Sequence, residues 1–486
     1  MRLICYPVRL HHIVSSVQRS KSILNSKKDT DFLAAGGPSN YAWNVIRSEA
    51  DELIFQHARK SGAKVFDGTQ VTEIEFLPSQ SSDQARSTNG SLASLGRPVS
   101  ASYNRRSDGT SGTIDFEYLI DASGRAGLVS TRYLKNRKYN QGLKNVANWG
   151  YWKGTGVYAE GTSRANSPYF EALRDGSGWV WFIPLHDGTT SVGVVMNQDF
   201  ATSKKREASS SRDFYLSSLK LVPNMQKLLK SGSFVSDLKS ASDFSYSSSS
   251  YAGPCLRIVG DAGCFIDPFF SSGVHLAMVG ALSAATTICA AIRGDCEEQA
   301  AAEWHSTKVA DGYTRFLLVV LSAYKQIRNQ NQAVLSDLGE DNLDRAFAHF
   351  RPVIQGTSDV SNITEEELAK TIDFCSNAWD GVKPQARAAV LQKMQSVVDD
   401  ARDSEADESL EARLEAMKEN LSVEEQRVMN YIRARQALRT EDSMHIDNFS
   451  TDVINGLAPN MRRGQLTLIK AVPLARARVE TKQTIG

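Results

Sequence analysis

The sequence predicts an α/β fold organised around an antiparallel sheet and followed by a helical C-terminal region. Three observations predict it. Tyr169-Phe170, Trp179 to Pro184 and Ser191 to Met196 are strand-like, with a turn at Asp187-Gly188 joining the last two. A strand at Leu256 to Val259 ends at Gly260-Asp261, and after a compact loop an apolar helix runs from about Val274 to Ile292. Beyond residue 300 the pattern is mainly helical.

Residues 48–60 read as the first helix. Ser48 is placed to cap it, Glu49, Asp51 and Glu52 crowd its positive end, and Gly62 supplies the stop. Val71 to Phe76 alternates like a half-buried strand. From Ser79 to Gly112 the chain turns to Ser, Arg, Gly and Asn, too polar to bury much surface, and reads as a long surface loop or disordered insertion. Its Arg86, Arg97, Arg105 and Arg106 read as solvated charge rather than a basic patch. Another strand, Ile114 to Ile120, leads into Asp121-Ala-Ser-Gly-Arg125. Ser209 to Ser211 and Ser247 to Ser250 read as connectors, and the charge-dense 399–427 as a solvated helix or linker.

The 486 residues allow about three domains, or one large enzyme core with appendages. With 56 basic and 55 acidic residues the formal charge is +1, so the overall field of a nucleic-acid or anionic-membrane binder is missing. Six cysteines are too sparse and uneven for a disulfide scaffold or a zinc pair, and a reduced, cytoplasmic compartment is expected. The eight histidines show no metal-ligand spacing, and no metal is expected. The strongest apolar run, Phe316 to Leu321, is too short for a membrane span. The first 28 residues carry six basic residues and no acid, faintly like a targeting segment, but an ordinary or wrongly assigned N-terminus is the preferred reading.

The chemistry concentrates in Gly260 to Ala277, GDAGCFIDPFFSSGVHLA. A helix entered through Ser-Ser-Gly offers unpaired backbone N–H groups and a partial positive charge to an anion or an electron-rich ring edge. Gly273 lets backbone approach a ligand closely, and Asp261 is placed to accept hydrogen bonds from sugar-like hydroxyls. The second signal is Trp179-Val-Trp181-Phe-Ile183-Pro184, whose period of two puts both indoles on one strand face.

These segments resemble the flavin-dependent halogenases of the flavin monooxygenase superfamily, most closely the fungal enzymes acting on phenolic natural products. The resemblance implies an FAD-binding α/β domain interleaved with an antiparallel substrate sheet. It assigns 29–150 to a partial FAD-binding domain, 151–250 to the substrate sheet, 251–300 to an FAD- and halide-binding return segment and 301–486 to the helical region, with 1–28 unmatched. It places chloride at Ser272 and Gly273, FAD at Arg47, Asp121, Asp261 and Val274, and Asp267-Pro268 in the turn under the flavin. Arg47 reads equally well as a surface ion-pair partner. Trp179 and Trp181 would wall the flavin off from the organic substrate, so that the oxidant meets halide first.

Ser123-Gly124 stands where related hydroxylases carry an Asp-Gly pair, which favours a separate flavin reductase as electron source. The implied reaction takes FADH2, O2 and chloride to hypochlorous acid, which a lysine directs onto an electron-rich aromatic, free or tethered to a carrier protein. No Gly-x-Gly-x-x-Gly run precedes Arg47, and the resemblance implies that roughly the first fifty residues of a typical member are lost. The catalytic lysine belongs to that region, where Lys21 is the nearest choice, ahead of Lys27 and Lys28. A flavin hydroxylase of the same fold and a truncated, non-catalytic homologue are the rival readings.

Overall fold

The computed structural model describes residues 42–78, 95–162, 165–328, 384–402, 410–437 and 452–471, together with residue 449 and short strands at 14–15, 17–20 and 30–31. Lys21, Lys27 and Lys28, and the greater part of the basic N-terminal segment, lie outside them.

Helix α1 spans Arg47–Lys60. Its N-cap is Ile46, with no side-chain cap, so the cap expected from Ser48 is corrected: that residue already sits inside the first turn. The stop is as expected, with Gly62 at φ +98° just past Ser61.

Strands β1 (Thr69–Leu77), β2 (Arg97–Arg105) and β3 (Ser111–Asp115) form an antiparallel sheet in that order. This overturns part of the loop expected over 79–112. Small residues did the hiding: the buried positions of β2 are Pro98, Ser100 and Ala101, and the Ser100 hydroxyl bonds Glu75 across the sheet. Residues 79–94 of that stretch lie outside the described set. The single strand expected from Ile114 to Ile120 is two. Phe116 N–H donates to Val99, whereas Leu119 N–H donates to Cys255, so the chain crosses to a second sheet as β4 (Leu119–Asp121).

The central sheet is built on β5 (Asn145–Lys153), β6 (Tyr169–Ala172), β7 (Gly178–Pro184) and β8 (Thr189–Asn197), antiparallel in the order β5-β8-β7-β6. Ser233–Phe234 and Lys239–Ser242 extend the β5 edge, and Val17–Ser20 runs parallel to β6. Both faces are covered. Val180, Phe182, Val192, Val194 and Met196 pack with Phe214, Tyr215, Leu219 and Met225, while Ala147, Phe170, Trp179 and Val195 pack with Tyr313, Phe316, Val320 and Tyr324. Burial on two faces accounts for the unbroken apolar run at 192–196, where a one-faced strand would alternate.

β9 (Leu256–Ile258) pairs parallel with β4, and the expected connector 247–250 contributes Tyr246–Ser248 as a short strand on Arg137–Tyr139. Helices α2 (Gly273–Arg293) and α3 (Glu298–Arg328) follow. Polar side chains peg them to β9. Buried Arg257 makes a two-pronged ion pair with Glu298 (2.8 and 3.1 Å) and bonds the Thr287 hydroxyl. His305 is fully buried, and burial holds its pKa down to about 3, so it is neutral. Its Nε2–H donates to the Ile258 carbonyl (3.1 Å), which leaves Nδ1 to accept from Ser283 (2.9 Å).

Helix α2 is long and apolar enough to cross a membrane by length and composition, a candidate that the sequence reading did not single out. Here it packs against α3, β9 and the final hairpin. That hairpin, Leu457–Asn460 with Thr467–Lys470, corrects the mainly helical reading of the C-terminal region. The charged run is helical over Leu410–Glu419 and from Val423 onward, and its Leu421 joins a small core with Val390, Met394, Val428 and Ile432.

Candidate active site

The site is assembled from the chain that leaves β9. Gly260 turns it at φ +57°, and a methyl there would press on Ala277 of α2 at 3.1 Å, so helix and turn are in close contact. Asp261 follows in the short turn Gly260–Ala262. Burial raises its pKa, while Arg47, Arg125 and Arg137 pull it back down. The structure thus brings the two predicted residues Arg47 and Asp261 within electrostatic reach. Arg47 also satisfies its other reading, as an exposed ion pair with Asp51 (3.1 Å). Arg137 lies over the Tyr246 ring at 3.9 Å, and the Tyr246 hydroxyl donates to the Asp261 carbonyl (2.7 Å).

Asp121 does something the sequence did not suggest. Its two carboxylate oxygens accept the Ser123 and Val129 amides (2.9 and 2.8 Å), so the side chain folds its own loop. A short carboxylate at a strand end finds the nearest free N–H groups first.

Asp267 is fully buried. One oxygen accepts the Phe269 amide (3.1 Å), and the other accepts from Asn145 of β5 and from the Tyr324 hydroxyl of α3 (both 2.9 Å). Burial pushes its pKa up to about 6. Pro268 opens the tight turn Pro268–Phe270, Ser271 reverses the chain at φ +53°, and α2 begins at Gly273. Ser272 occupies the N-cap position without capping. It is fully buried, and its hydroxyl has no hydrogen-bond partner among the described residues. A methyl built on Gly273 would meet only Phe265 Cε2, at 4.0 Å. The positive end of a 21-residue helix therefore opens onto free space beside an unpaired buried hydroxyl. Val274, next in the helix, is exposed.

Trp179 and Trp181 share one face of β7, with ring centres 5.9 Å apart. They are not equivalent. Trp179 is 1% exposed, packs edge-on against Phe269 of the loop (5.0 Å) and donates its indole N–H to Tyr324 (2.7 Å). Trp181 is half-buried, bonds Ser191 (3.1 Å) and approaches Trp149 of β5 (6.3 Å). Trp149, Asn145 and Tyr324 are the residues that sequence reasoning missed. Trp149 had a signal, in the aromatic-rich stretch Trp149-Gly-Tyr-Trp152 that suits a strand; Tyr324 had none. His275 packs against Phe316 (6.0 Å).

The loop that enters α2 is locked by Phe269 onto a strand of paired indoles, and both segments are those by which the sequence resembles the flavin-dependent halogenases. The chain belongs to that family: the family model described as tryptophan halogenase matches residues 12–396. It is 56% identical over 447 residues to the flavin-dependent halogenase ascD of Acremonium egyptiacum, covering 91% of this chain and 77% of that one. It is 51% identical over 453 residues to the sulochrin halogenase gedL of Aspergillus terreus, with 92% and 80% covered. The fold is shared with the myxobacterial chondrochloren halogenase CndH (TM-score 0.57, 22% identity, covering 76% and 82%). It is shared likewise with the flavin-dependent halogenase CmlS (TM-score 0.57, 22% identity, covering 80% and 67%). The protein is an FAD-dependent halogenase of the fungal type, an oxidoreductase.

Proposed function

We propose that the protein chlorinates an electron-rich, phenolic aromatic and receives FAD in reduced form from a separate flavin reductase. The observation that carries the proposal is the buried, unpartnered Ser272 hydroxyl at the open start of α2. A buried hydroxyl without a partner costs about 1–3 kcal/mol, a cost that a bound ligand removes. The donors there suit a halide: main-chain N–H groups at Ser272 and Gly273, a helix dipole, and no side chain on Gly273 to exclude a large anion.

When bound, reduced FAD supplies with O2 the oxidant by which chloride becomes hypochlorous acid. The protein's own part is placement. Arg47 and Asp261 hold the cofactor, and Pro268 and Val274 line the loop and helix beside it. Ser272 and Gly273 strip water from the halide and fix it, since preorganised donors in a water-poor site act more strongly than in solvent. Trp179 and Trp181 keep the aromatic substrate on the far side. Lys21 is the lysine assigned to steer chlorine onto the ring, where it replaces hydrogen and a proton leaves. The substrate comes free or tethered to a carrier protein. Free cysteines at 255, 264, 289 and 296 fit a reducing, cytoplasmic setting.

The experiment is turnover of a phenol by the full chain with FAD, a flavin reductase and O2, with and without chloride, read by product mass. A chloride-dependent gain of chlorine in place of hydrogen supports the proposal. A gain of oxygen supports a hydroxylase, and failure to bind FAD supports a non-catalytic homologue.

A further inference from the structure

Trp179 and Asp267 are 88 residues apart, yet a single hydroxyl on α3 bonds to both. The direction of this chain is fixed by chemistry. An indole N–H can only donate, so the Tyr324 oxygen accepts from Trp179 (2.7 Å), and the one phenolic proton goes to Asp267 (2.9 Å). Burial and the nearby Asp267 charge push the ionisation of Tyr324 well above its ordinary value, so the proton stays on the hydroxyl. Asp267 in turn holds β5 through Asn145 and the loop through the Phe269 amide.

We propose that Tyr324 is a positioning residue for halogenation: its hydroxyl fixes the Trp179 indole against the Asp267–Phe270 turn, and so keeps shut the wall between the flavin side and the substrate side. The inference rests on the reading of Trp179 as part of that wall. Without the hydroxyl, the Trp179 indole is held by packing alone, edge-on to Phe269 at 5.0 Å and tilted on Trp181 at 5.9 Å and Phe170 at 6.0 Å, none of which fixes the indole N–H. Tyr324 itself is buried beneath Trp179 in the same core.

The test is a double-mutant cycle with Tyr324→Phe, Trp179→Phe and the pair, in the full chain with FAD, a flavin reductase, chloride and phloroglucinol as the phenol. The readout is chlorinated product formed per flavin oxidised, the remainder appearing as hydrogen peroxide or oxygenated phenol. The expected result is a fall of about tenfold for Tyr324→Phe, with FAD affinity and the chloride KM within about twofold of wild type. In the Trp179→Phe background the same change should alter the ratio by less than about twofold, because the hydroxyl acts through the indole. An equal fall in both backgrounds, or no fall with Tyr324→Phe while Trp179→Phe has a clear effect, overturns the inference and leaves the wall intact. A ratio unmoved by Trp179→Phe overturns the wall reading and this inference together. Tyr324→Met, flexible enough to fill the site, repeats the cycle if the Phe variant does not accumulate.

Discussion

Gly193 lies directly against the indole of Trp181: the two are paired across β7 and β8, and a methyl on Gly193 would stand 2.1 Å from Cζ2 of the ring. The missing side chain is what lets the indole lie along the sheet and reach Ser191. Gly193→Ala is therefore expected to displace Trp181 and lower stability by about 1–3 kcal/mol, read as a shift in the urea midpoint at constant slope. An unshifted midpoint would show that the ring has room to move.

Gly273→Ala is predicted to behave in the opposite way. The added methyl meets nothing closer than 4.0 Å, so the fold should be as stable as wild type or up to about 1 kcal/mol more stable. The methyl would project into the space assigned to the halide, and the chloride KM should rise about tenfold or more. Steady-state kinetics at varied chloride check this, and an unchanged KM would move the halide elsewhere.

Ser272→Ala separates stability from binding. In the absence of FAD and halide the variant should be at least as stable as wild type, because the hydroxyl it removes is buried and unpaired. With FAD and bromide added, wild type should gain more in melting temperature than the variant. Equal gains in both proteins would exclude the hydroxyl from the site.

Asp267 makes a prediction about pH. Its folded-state pKa, about 6, lies above the ordinary 3.8, so the native protein binds a proton that the unfolded chain releases more readily. The stability this contributes is complete below about pH 3.8 and is lost as the pH rises through about 6. The total is about 3 kcal/mol, from 1.36 kcal/mol per pH decade. The stability difference between wild type and Asp267→Asn should therefore move against wild type by about 2 kcal/mol of that total between pH 4.5 and 7. Chemical denaturation of both proteins across this range measures it, and a constant difference would mean that Asp267 does not titrate there.

The sequence carried the site's local parts and not its tertiary ones. Trp179 to Pro184 announces a strand through its alternation, and Leu256 to Gly273 announces a strand, a turn and a helix start through its apolar run, its glycines and Pro268, so both segments were legible. What joins them was not. Tyr324 sits in the middle of a long helix, looks like any aromatic core residue there, and acquires its meaning only when α3 crosses the sheet. β2 escaped notice because small residues such as Ser100 and Ala101 bury a strand without a hydrophobic signature. Asp121 was legible as important, but its partners, two amides of its own loop, depend on backbone geometry that composition does not encode.

A helix seated only by alkyl groups can slip along its axis at modest cost, since one oily ridge replaces another. Ser283 on His305 and Thr287 on Arg257 forbid such sliding in α2, because each peg fits one position along the rod. They stand 10 and 14 residues beyond Gly273, about 15 and 21 Å downstream at 1.5 Å per residue. The start of α2 is thus surveyed from a distance, and changes near these pegs would be felt at Gly273 as errors of longitude.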